Sequence, residues 1–312
     1  MPSSAQAATG WGLLAIALWS TTIACSRSLA EQLGALTSAA TVYLAAGLLG
    51  CAALAVRGTL AATLRHAGPR YLYGCGGLMV AYTVLLYTAV GLAQTRGQVI
   101  TVTVCNYLWP SLTLLFAVPI LGWQTRPLVL FCGTLLGVTG VALAVGVGGV
   151  EGSPSTTWSG HAVSTLPALL AAVTWGLYSN LSRRWGGARA GNAMPVFLLA
   201  SGGVLLLLRA CRVEHSAWTP QAVAEAAYLA SGPTLLAYVC WDTAARRGNL
   251  SLVAAFSYLT PLLSVLVSSL YLQLPVPPHQ WLAGGLLVAG AVLCKASVVA
   301  ADQPPILAAP RD

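Results

Sequence analysis

Aromatic and hydroxyl side chains recur at helical spacing inside apolar stretches of this 312-residue chain. Trp19 and Thr22 share one helix face, and Trp175 and Tyr178 repeat the pattern in the second half, because residues three positions apart lie on the same side of a helix. Such groups bind a ligand by stacking and hydrogen bonding. They fit either a water-accessible cavity or hydrogen bonding between helices. The cavity is favoured because the stripe occurs in both halves.

Further aromatic and polar residues within apolar stretches extend the set of candidate binding residues. Ring faces stack on an aromatic ligand or receive a cation, and the alternative for each ring is packing between helices. Asn106 is an amide inside an apolar run, so it must be hydrogen-bonded to a neighbouring helix or to a ligand. The predicted binding residues are Trp19, Thr22, Tyr82, Tyr87, Asn106, Trp109, Trp175, Tyr178, Tyr238, Trp241 and Ser257.

One acidic residue, Asp242, is placed well inside an apolar run. An intramembrane carboxylate is a candidate for proton coupling. Arg246 follows four positions later on the same helix face, which favours a structural ion pair over coupling. Pro110 and Pro261 each remove one helical hydrogen bond, so each predicts either a hinge or a static bend.

The titratable residues form no recognisable catalytic or metal-binding set. The four histidines, His66, His161, His215 and His279, lie at the ends of apolar runs, and the eight cysteines contain no CxxC pair. The sequence contains no HExxH, GxSxG or phosphate-binding loop motif. We therefore expect neither an enzyme nor a protein with a metal or another cofactor.

The composition identifies an integral membrane protein. Only 7% of the residues are charged and 57% are hydrophobic, whereas about a quarter are charged in soluble domains. Apolar runs of about 20 residues without alternation predict membrane-spanning helices and not barrel strands. The basic residues that give the net charge of +8 lie between these runs. They are therefore interpreted as a topology signal and not as a nucleic-acid-binding surface.

Ten membrane spans are predicted, joined mostly by short connections. Their approximate boundaries are 10–30, 36–56, 71–93, 98–121, 128–147, 161–182, 193–210, 222–245, 250–273 and 279–300. Residues 151–160 form a linker between a first half, 1–150, and a second half, 161–301, and residues 302–312 form a flexible tail. With the N-terminus in the cytoplasm, eleven basic residues lie inside and four outside. Both termini are therefore predicted to be cytoplasmic.

A duplicated stretch relates the two halves. RGQVITVTVCNYLWP (Arg96–Pro110) returns at an offset of 151 positions as RGNLSLVAAFSYLTP (Arg247–Pro261), and Leu13–Arg27 aligns with Leu169–Arg183. Because each half has an odd number of spans, the second half enters the membrane from the opposite face. Such inverted repeats are typical of secondary transporters, which bind substrate near the midplane between the repeats.

These features resemble the drug/metabolite transporter (EamA) superfamily over nearly the whole chain. The resemblance rests on two halves of five spans, a tryptophan in the first span of each half, and the glycine-rich stretches GTLLGVTGVAL and GGLLVAGAVL. The stretch NYLWP, Asn106–Pro110, is similar to the YddG-type aromatic amino acid exporters within it. The resemblance implies a central cavity lined by spans 1, 3, 4, 6, 8 and 9.

The implied function is export of aromatic amino acids and related metabolites by alternating access, in a bacterial inner membrane. The alternative is a multidrug or other small-metabolite carrier of the same superfamily, with proton coupling. The expected partners are amino acid substrates and the lipid bilayer, and no nucleic acid. We expect a monomer or a weak homodimer, since Gly133, Gly137 and Gly140 share a face that suits packing within the fold or between two copies.

Overall fold

The computed structural model describes residues 4–93, 95–147, 158–186, 192–257, 260–273 and 275–300. Over these residues the chain is almost entirely helical. The α-helices are α1 Ser4–Trp19, α2 Thr22–Leu33, α3 Ala35–Val56, α4 Leu60–His66, α5 Gly76–Leu92, α6 Arg96–Asn106, α7 Trp109–Leu121, α8 Pro127–Val147, α9 Trp158–Gly186, α10 Met194–Ala210, α11 Pro220–Leu229, α12 Ala237–Arg247, α13 Leu250–Ser257, α14 Thr260–Leu272 and α15 Pro278–Ser297. A π-helical turn at Arg70–Cys75 continues into α5, and another at Ala230–Leu236 joins α11 to α12.

Five helical stretches of the described chain are long and apolar enough to cross a membrane. They are Ala35–Val56, Arg70–Leu92, Thr101–Leu121, Pro220–Arg247 and Pro278–Ser297. The α1–α2 pair adds a sixth across a bend of 41°. The protein is thus all-helical with five to six candidate spans, and the count of ten stays a prediction. Most of the predicted linker 151–160 and the tail 302–312 lie outside the described residues.

The first apolar run bends because two polar side chains bind helix carbonyls. Ser20 Oγ donates to the carbonyl of Ala17 at 2.7 Å, and Thr21 Oγ1 donates to that of Leu18 at 2.8 Å. Local bonds of this kind compete with the backbone ladder and bend helices. Trp19, the last residue of α1, therefore lies at the break.

A second break separates α6 from α7 at Tyr107 and Leu108. Pro110 is the second residue of α7, where its missing N–H removes no helical hydrogen bond and its fixed φ favours helix initiation. The stretch Thr101–Leu121 runs across this irregular turn as one candidate span, and the predicted hinge or bend at Pro110 stays a prediction. The break places Asn106 at the end of α6 and Trp109 at the start of α7.

The predicted hinge at Pro261 lies next to residues that the structure does not describe. Helix α13 is described to Ser257 and α14 from Thr260, and residues 258 and 259 lie outside the described chain. The hinge at Pro261 therefore stays a prediction.

Small residues bring two pairs of helices into close contact. A Cβ on Gly133 of α8 would lie 2.6 Å from the carbonyl oxygen of Gly290 in α15. A Cβ on Gly202 of α10 would lie 2.6 Å from the amide nitrogen of Leu44 in α3. The glycine stripe of α8 thus packs within the fold, against α15, and not between two copies. Extensive contacts also join α5 to α9 and α1 to α12.

The partly buried carboxylate of Glu214 holds the connection between α10 and α11 against the turn between α2 and α3. Glu214 accepts hydrogen bonds from the backbone amides of Leu36 at 3.0 Å and Thr37 at 2.8 Å, which caps α3. Gly34 has φ +88° and no room for a side chain beside Glu214. Partial burial acts to raise the pKa of Glu214, but these hydrogen bonds and the charge of Arg209 outweigh it and hold the pKa below its ordinary value.

A two-stranded antiparallel ribbon joins distant parts of the chain. Gln124–Thr125 pairs with Val298–Ala300, and the amide of Arg126 donates to the carbonyl of Ser297 at 2.7 Å. The connection between α7 and α8 therefore lies at the same end of the bundle as the end of α15.

Candidate functional site

Four tryptophans that are far apart in the sequence meet in the bundle. Trp19 ends α1, Trp109 begins α7, and Trp175 and Trp241 lie in α9 and α12. The centroid of the Trp19 ring lies 5.4 Å from that of Trp175, 5.2 Å from that of Trp241 and 6.4 Å from that of Trp109. Tilted and edge-on rings at such distances attract one another. We call these four residues the tryptophan cluster.

A cavity lies beside the tryptophan cluster. Its wall extends from the cluster to Ser26 and Val90, so the cavity points toward the end of the bundle where Arg27 lies. Eight of the eleven predicted binding residues lie on this wall: Trp19, Thr22, Tyr82, Tyr87, Asn106, Trp109, Trp175 and Tyr238.

The cavity wall carries polar groups of two kinds. Some are already paired, since the hydroxyls of Tyr43 and Tyr238 lie 3.0 Å apart and those of Ser26 and Tyr87 lie 3.4 Å apart. Others are unpaired within the described chain: Thr22 Oγ1 and Asn106 Oδ1 are buried without a hydrogen-bond partner. A buried polar atom without a partner is unfavourable. These two oxygens can therefore accept hydrogen bonds from a ligand.

The break in the fourth apolar run positions one of these groups. Asn106 and Trp109 flank the two residues that separate α6 from α7, and both side chains reach the cavity wall. The amide and the indole are three positions apart, a spacing that places both on the same side of the span. Interrupted helices at the binding site are a recurrent feature of transporters.

The donor of Trp19 connects the cavity to the eighth predicted span. Its Nε1 donates to the carbonyl of Pro233 at 3.0 Å. Pro233 lies in the π-helical turn Ala230–Leu236, where a helix with an interior proline departs from regular hydrogen bonding. The break after α1 and the irregular turn before α12 are therefore joined directly.

Three predicted binding residues lie off the cavity wall. Trp241 belongs to the tryptophan cluster but is fully buried. Tyr178 lies one helical turn beyond Trp175, and its hydroxyl donates to Asp242 Oδ1 at 2.9 Å. Ser257 is fully buried at the end of α13. Helical spacing identified the correct face for Tyr178, but it did not give the depth of the cavity along that face.

Asp242 forms the ion pair that its spacing from Arg246 predicts. Oδ2 lies 2.7 Å from Nη2 and 2.8 Å from Nε of Arg246. The Tyr71 hydroxyl lies 3.3 Å from both carboxylate oxygens, and that of Tyr178 is also bonded to Asp242. The Arg246 guanidinium lies over the Tyr71 ring at 5.5 Å. This network, which we call the Asp242 network, lies on the far side of the tryptophan cluster from Ser26.

Sequence reasoning missed a second buried acid. Asp242 is not the only buried acid of the described chain, because Glu225 of α11 is only 6% exposed. Its carboxylate accepts hydrogen bonds from Ser28, Gln221 and Tyr271 at 2.8, 2.8 and 2.6 Å. Glu225 lies close to the predicted start of its span, where an acid suggested an exposed end.

Two rings on the cavity wall were also missed. Tyr43 of α3 and Tyr107, between α6 and α7, line the cavity. Tyr43 is an isolated ring in an apolar run, with no indole or second ring on its helix face to mark it. Its only sequence signal is a phenol that needs a hydrogen-bond partner inside the membrane.

Comparison with known proteins places these observations in a family. The model of the EamA-like transporter family matches residues 7–146 and 164–295. The "Aromatic amino acid exporter YddG" of Salmonella typhimurium is 33% identical over 302 residues, covering 93% of this chain and 97% of that protein. The protein of the same name from Escherichia coli K12 is 30% identical, with the same coverage. One solved crystal structure matches 92% of this chain and 97% of its own at 28% identity, with a TM-score of 0.71. The family model covers both halves of the chain, and the chain belongs to the EamA-like transporter family.

Proposed function

We propose that this protein exports aromatic amino acids and related metabolites across a bacterial inner membrane. One observation carries the proposal: the cavity combines rings of the tryptophan cluster with two unpaired oxygens, Thr22 Oγ1 and Asn106 Oδ1. An amino acid with an aromatic side chain offers a ring to stack and an ammonium group that donates to such oxygens. The two relatives described above are named as exporters of this substrate class, which supports the proposal.

Transport by alternating access is supported by how the helices pair. The closest packing joins α3 to α10 and α8 to α15, which are the second and fifth predicted spans of each half. The α5–α9 contact joins the third predicted span of the first half to the first span of the second half. The α1–α12 contact joins the first span of the first half to the third span of the second half, so the two contacts correspond when the halves are exchanged. This pairing is what a 5+5 inverted repeat of ten spans requires. We therefore propose that one half rocks against the other, with both termini in the cytoplasm.

The expected affinity is low. Burying an aromatic side chain of about 150–250 Å² at about 25 cal/mol per Å² contributes roughly 4–6 kcal/mol. Lost translational and rotational freedom opposes binding by about 4 kcal/mol or more. Stacking and the hydrogen bonds to Asn106 and Thr22 must supply the remainder. Weak binding suits a carrier, since a substrate held tightly in the cavity leaves it slowly.

Counterflow in proteoliposomes tests the proposal. Vesicles loaded with unlabelled tryptophan should accumulate labelled tryptophan without a pH gradient, and phenylalanine and tyrosine should compete. Threonine, which has no ring, should compete weakly. Absence of accumulation by folded, reconstituted protein, while a cationic dye is transported, would refute aromatic amino acid export.

A second function is supported by Asp242. A buried carboxylate fits a proton-coupled carrier of cationic drugs or other metabolites. The pairing of Asp242 with Arg246 weighs against it, because the carboxylate is already neutralised by a fixed charge. Dye transport that requires a pH gradient and is abolished in Asp242→Asn would favour this second function.

A further inference from the structure

The Asp242 network is not used by the binding site proposed above. The side chains of Asp242 and Arg246 are 0% and 1% exposed. Removing two charges from water is unfavourable, and apolar residues in place of such a pair are often equally stable. Charged residues within membrane-spanning helices usually mark a functional site. The pair therefore needs an explanation beyond stability.

The network lies directly behind the wall of the cavity. The Tyr178 ring, whose hydroxyl bonds to Asp242, lies 5.3 Å from the ring of Trp175 on the cavity wall. Trp241 precedes Asp242 in the chain and contacts Trp19 at 5.2 Å between centroids. One layer of rings thus separates the cavity from the ion pair. A substrate that crosses the bundle passes this layer and then meets the two charges.

The charges of the pair match those of an amino acid zwitterion. The residues of the described chain that line the cavity include no charged side chain, so the cavity alone does not pair an ammonium or a carboxylate with an opposite charge. We propose that Asp242 and Arg246 form a second subsite, which takes the ammonium group on Asp242 and the carboxylate on Arg246 once the ring layer opens. This inference rests on the proposed function and names the part of the substrate that the subsite recognises.

Replacement of the internal Asp242–Arg246 pair by a substrate favours compounds that carry both charges. A zwitterion replaces both members of the internal pair, so that neither Asp242 nor Arg246 is left unpaired. A compound with one charge leaves one of them buried without a partner, which is strongly unfavourable. Without substrate, the internal pair and the hydroxyls of Tyr71 and Tyr178 keep the network closed. The same groups therefore select the substrate and close the path.

Three compounds separate the two charges experimentally. Tryptophan carries both, tryptamine carries only the ammonium group, and indole-3-propionate carries only the carboxylate. Each is measured in counterflow with wild type, Asp242→Asn and Arg246→Gln. Glu31→Gln is the matched control, because Arg27 and Glu31 form an ion pair of the same spacing that is more exposed, at 2.8 Å.

The expected results differ between the two variants. Wild type should prefer tryptophan over both analogues by about tenfold or more, since a charge-assisted hydrogen bond contributes that factor. Asp242→Asn should reduce the preference for tryptophan over indole-3-propionate to the part that the two cavity oxygens supply, and Arg246→Gln should abolish the preference over tryptamine. Equal losses for all three compounds, or an unchanged preference in both variants, would overturn the subsite.

Folding is controlled by a milder variant. Tyr178→Phe removes one hydrogen bond from Asp242 and keeps both charges, so it should retain the preference for tryptophan while raising leakage of tryptophan from preloaded vesicles. If neither charge variant yields folded protein, transport of the three compounds is compared in wild type alone. Equal transport of the zwitterion and the two singly charged compounds would then overturn the subsite. Failure of wild type to transport tryptophan at all instead refutes the proposed function.

Discussion

Replacing Trp19 by alanine removes the ring at the centre of the tryptophan cluster. The Trp19 ring contacts Trp241, Tyr238, Trp175 and Trp109 at 5.2, 5.3, 5.4 and 6.4 Å between centroids. One stacking partner contributes about 0.5–1.5 kcal/mol, so the half-saturation concentration of tryptophan should rise about twofold to about tenfold. Four ring contacts of about 1 kcal/mol each give a stability loss of about 4 kcal/mol, within the usual range for buried tryptophan.

The assay combines tryptophan counterflow over a range of concentrations with thermal unfolding in detergent. Trp19→Phe should keep the half-saturation concentration within about twofold, because it retains a ring and loses only the bond to Pro233. Trp11→Ala is the matched control on the same helix, since Trp11 is 50% exposed. A Trp19→Ala protein that is folded and has the half-saturation concentration of wild type would refute the cavity as the binding site.

Three further predictions concern the polar anchor, the helix packing and the capped connection. Asn106→Leu should weaken tryptophan transport about tenfold to about a hundredfold but leave competition by uncharged indole unchanged, because it removes only hydrogen bonds to the head group. Gly290→Ala should destabilise the protein by about 1–3 kcal/mol, since its Cβ would meet α8 at 2.5 Å; thermal unfolding measures this. The pKa of Glu214 is held below its ordinary value, so its stabilisation is present above the ordinary pKa of a glutamate and is lost as the pH falls through the folded-state pKa. Unfolding temperature should therefore drop on acidification in wild type and less in Glu214→Gln.

Each of these predictions has its own control. Equal loss of tryptophan and indole binding in Asn106→Leu would contradict a head-group role. Gly285→Ala on the same helix has open space around its Cβ, so it should not destabilise the protein; equal effects at the two glycines would contradict close packing of α15 on α8. For Glu214→Gln, an unchanged acid sensitivity relative to wild type would exclude Glu214 as its source.

Helix periodicity predicted several residues that line the cavity but not how deep each residue lies. Trp19 and Trp175 follow from a stripe that recurs in both halves, and both reach the cavity. Tyr178 belongs to the same stripe but contacts Asp242 instead, because the depth of the cavity depends on how α9 is shifted along its neighbours. That shift is set by packing between residues far apart in sequence, which spacing within one helix does not report.

The breaks were only partly predictable from sequence. Pro110 marked the irregular turn between α6 and α7, where it is the second residue of α7 and its fixed φ favours helix initiation. The break at Ser20 and Thr21 was missed, because serine and threonine are also common within membrane helices and bend them only when their hydroxyls bind nearby carbonyls. Tyr43 was missed for a related reason: a single ring in an apolar run acquires its role only from partners on other helices.

The charge balance of the site has an electrical consequence. Asp242 and Arg246 sum to zero, and the cavity wall in the described chain has no charged side chain. A zwitterion carries no net charge. Under the proposed function, a complete transport step therefore moves no net charge across the membrane. Moving one elementary charge through 100 mV changes the free energy by about 2.3 kcal/mol, and here that term vanishes. Membrane voltage then neither drives nor opposes export, and substrate concentrations on the two sides set its direction.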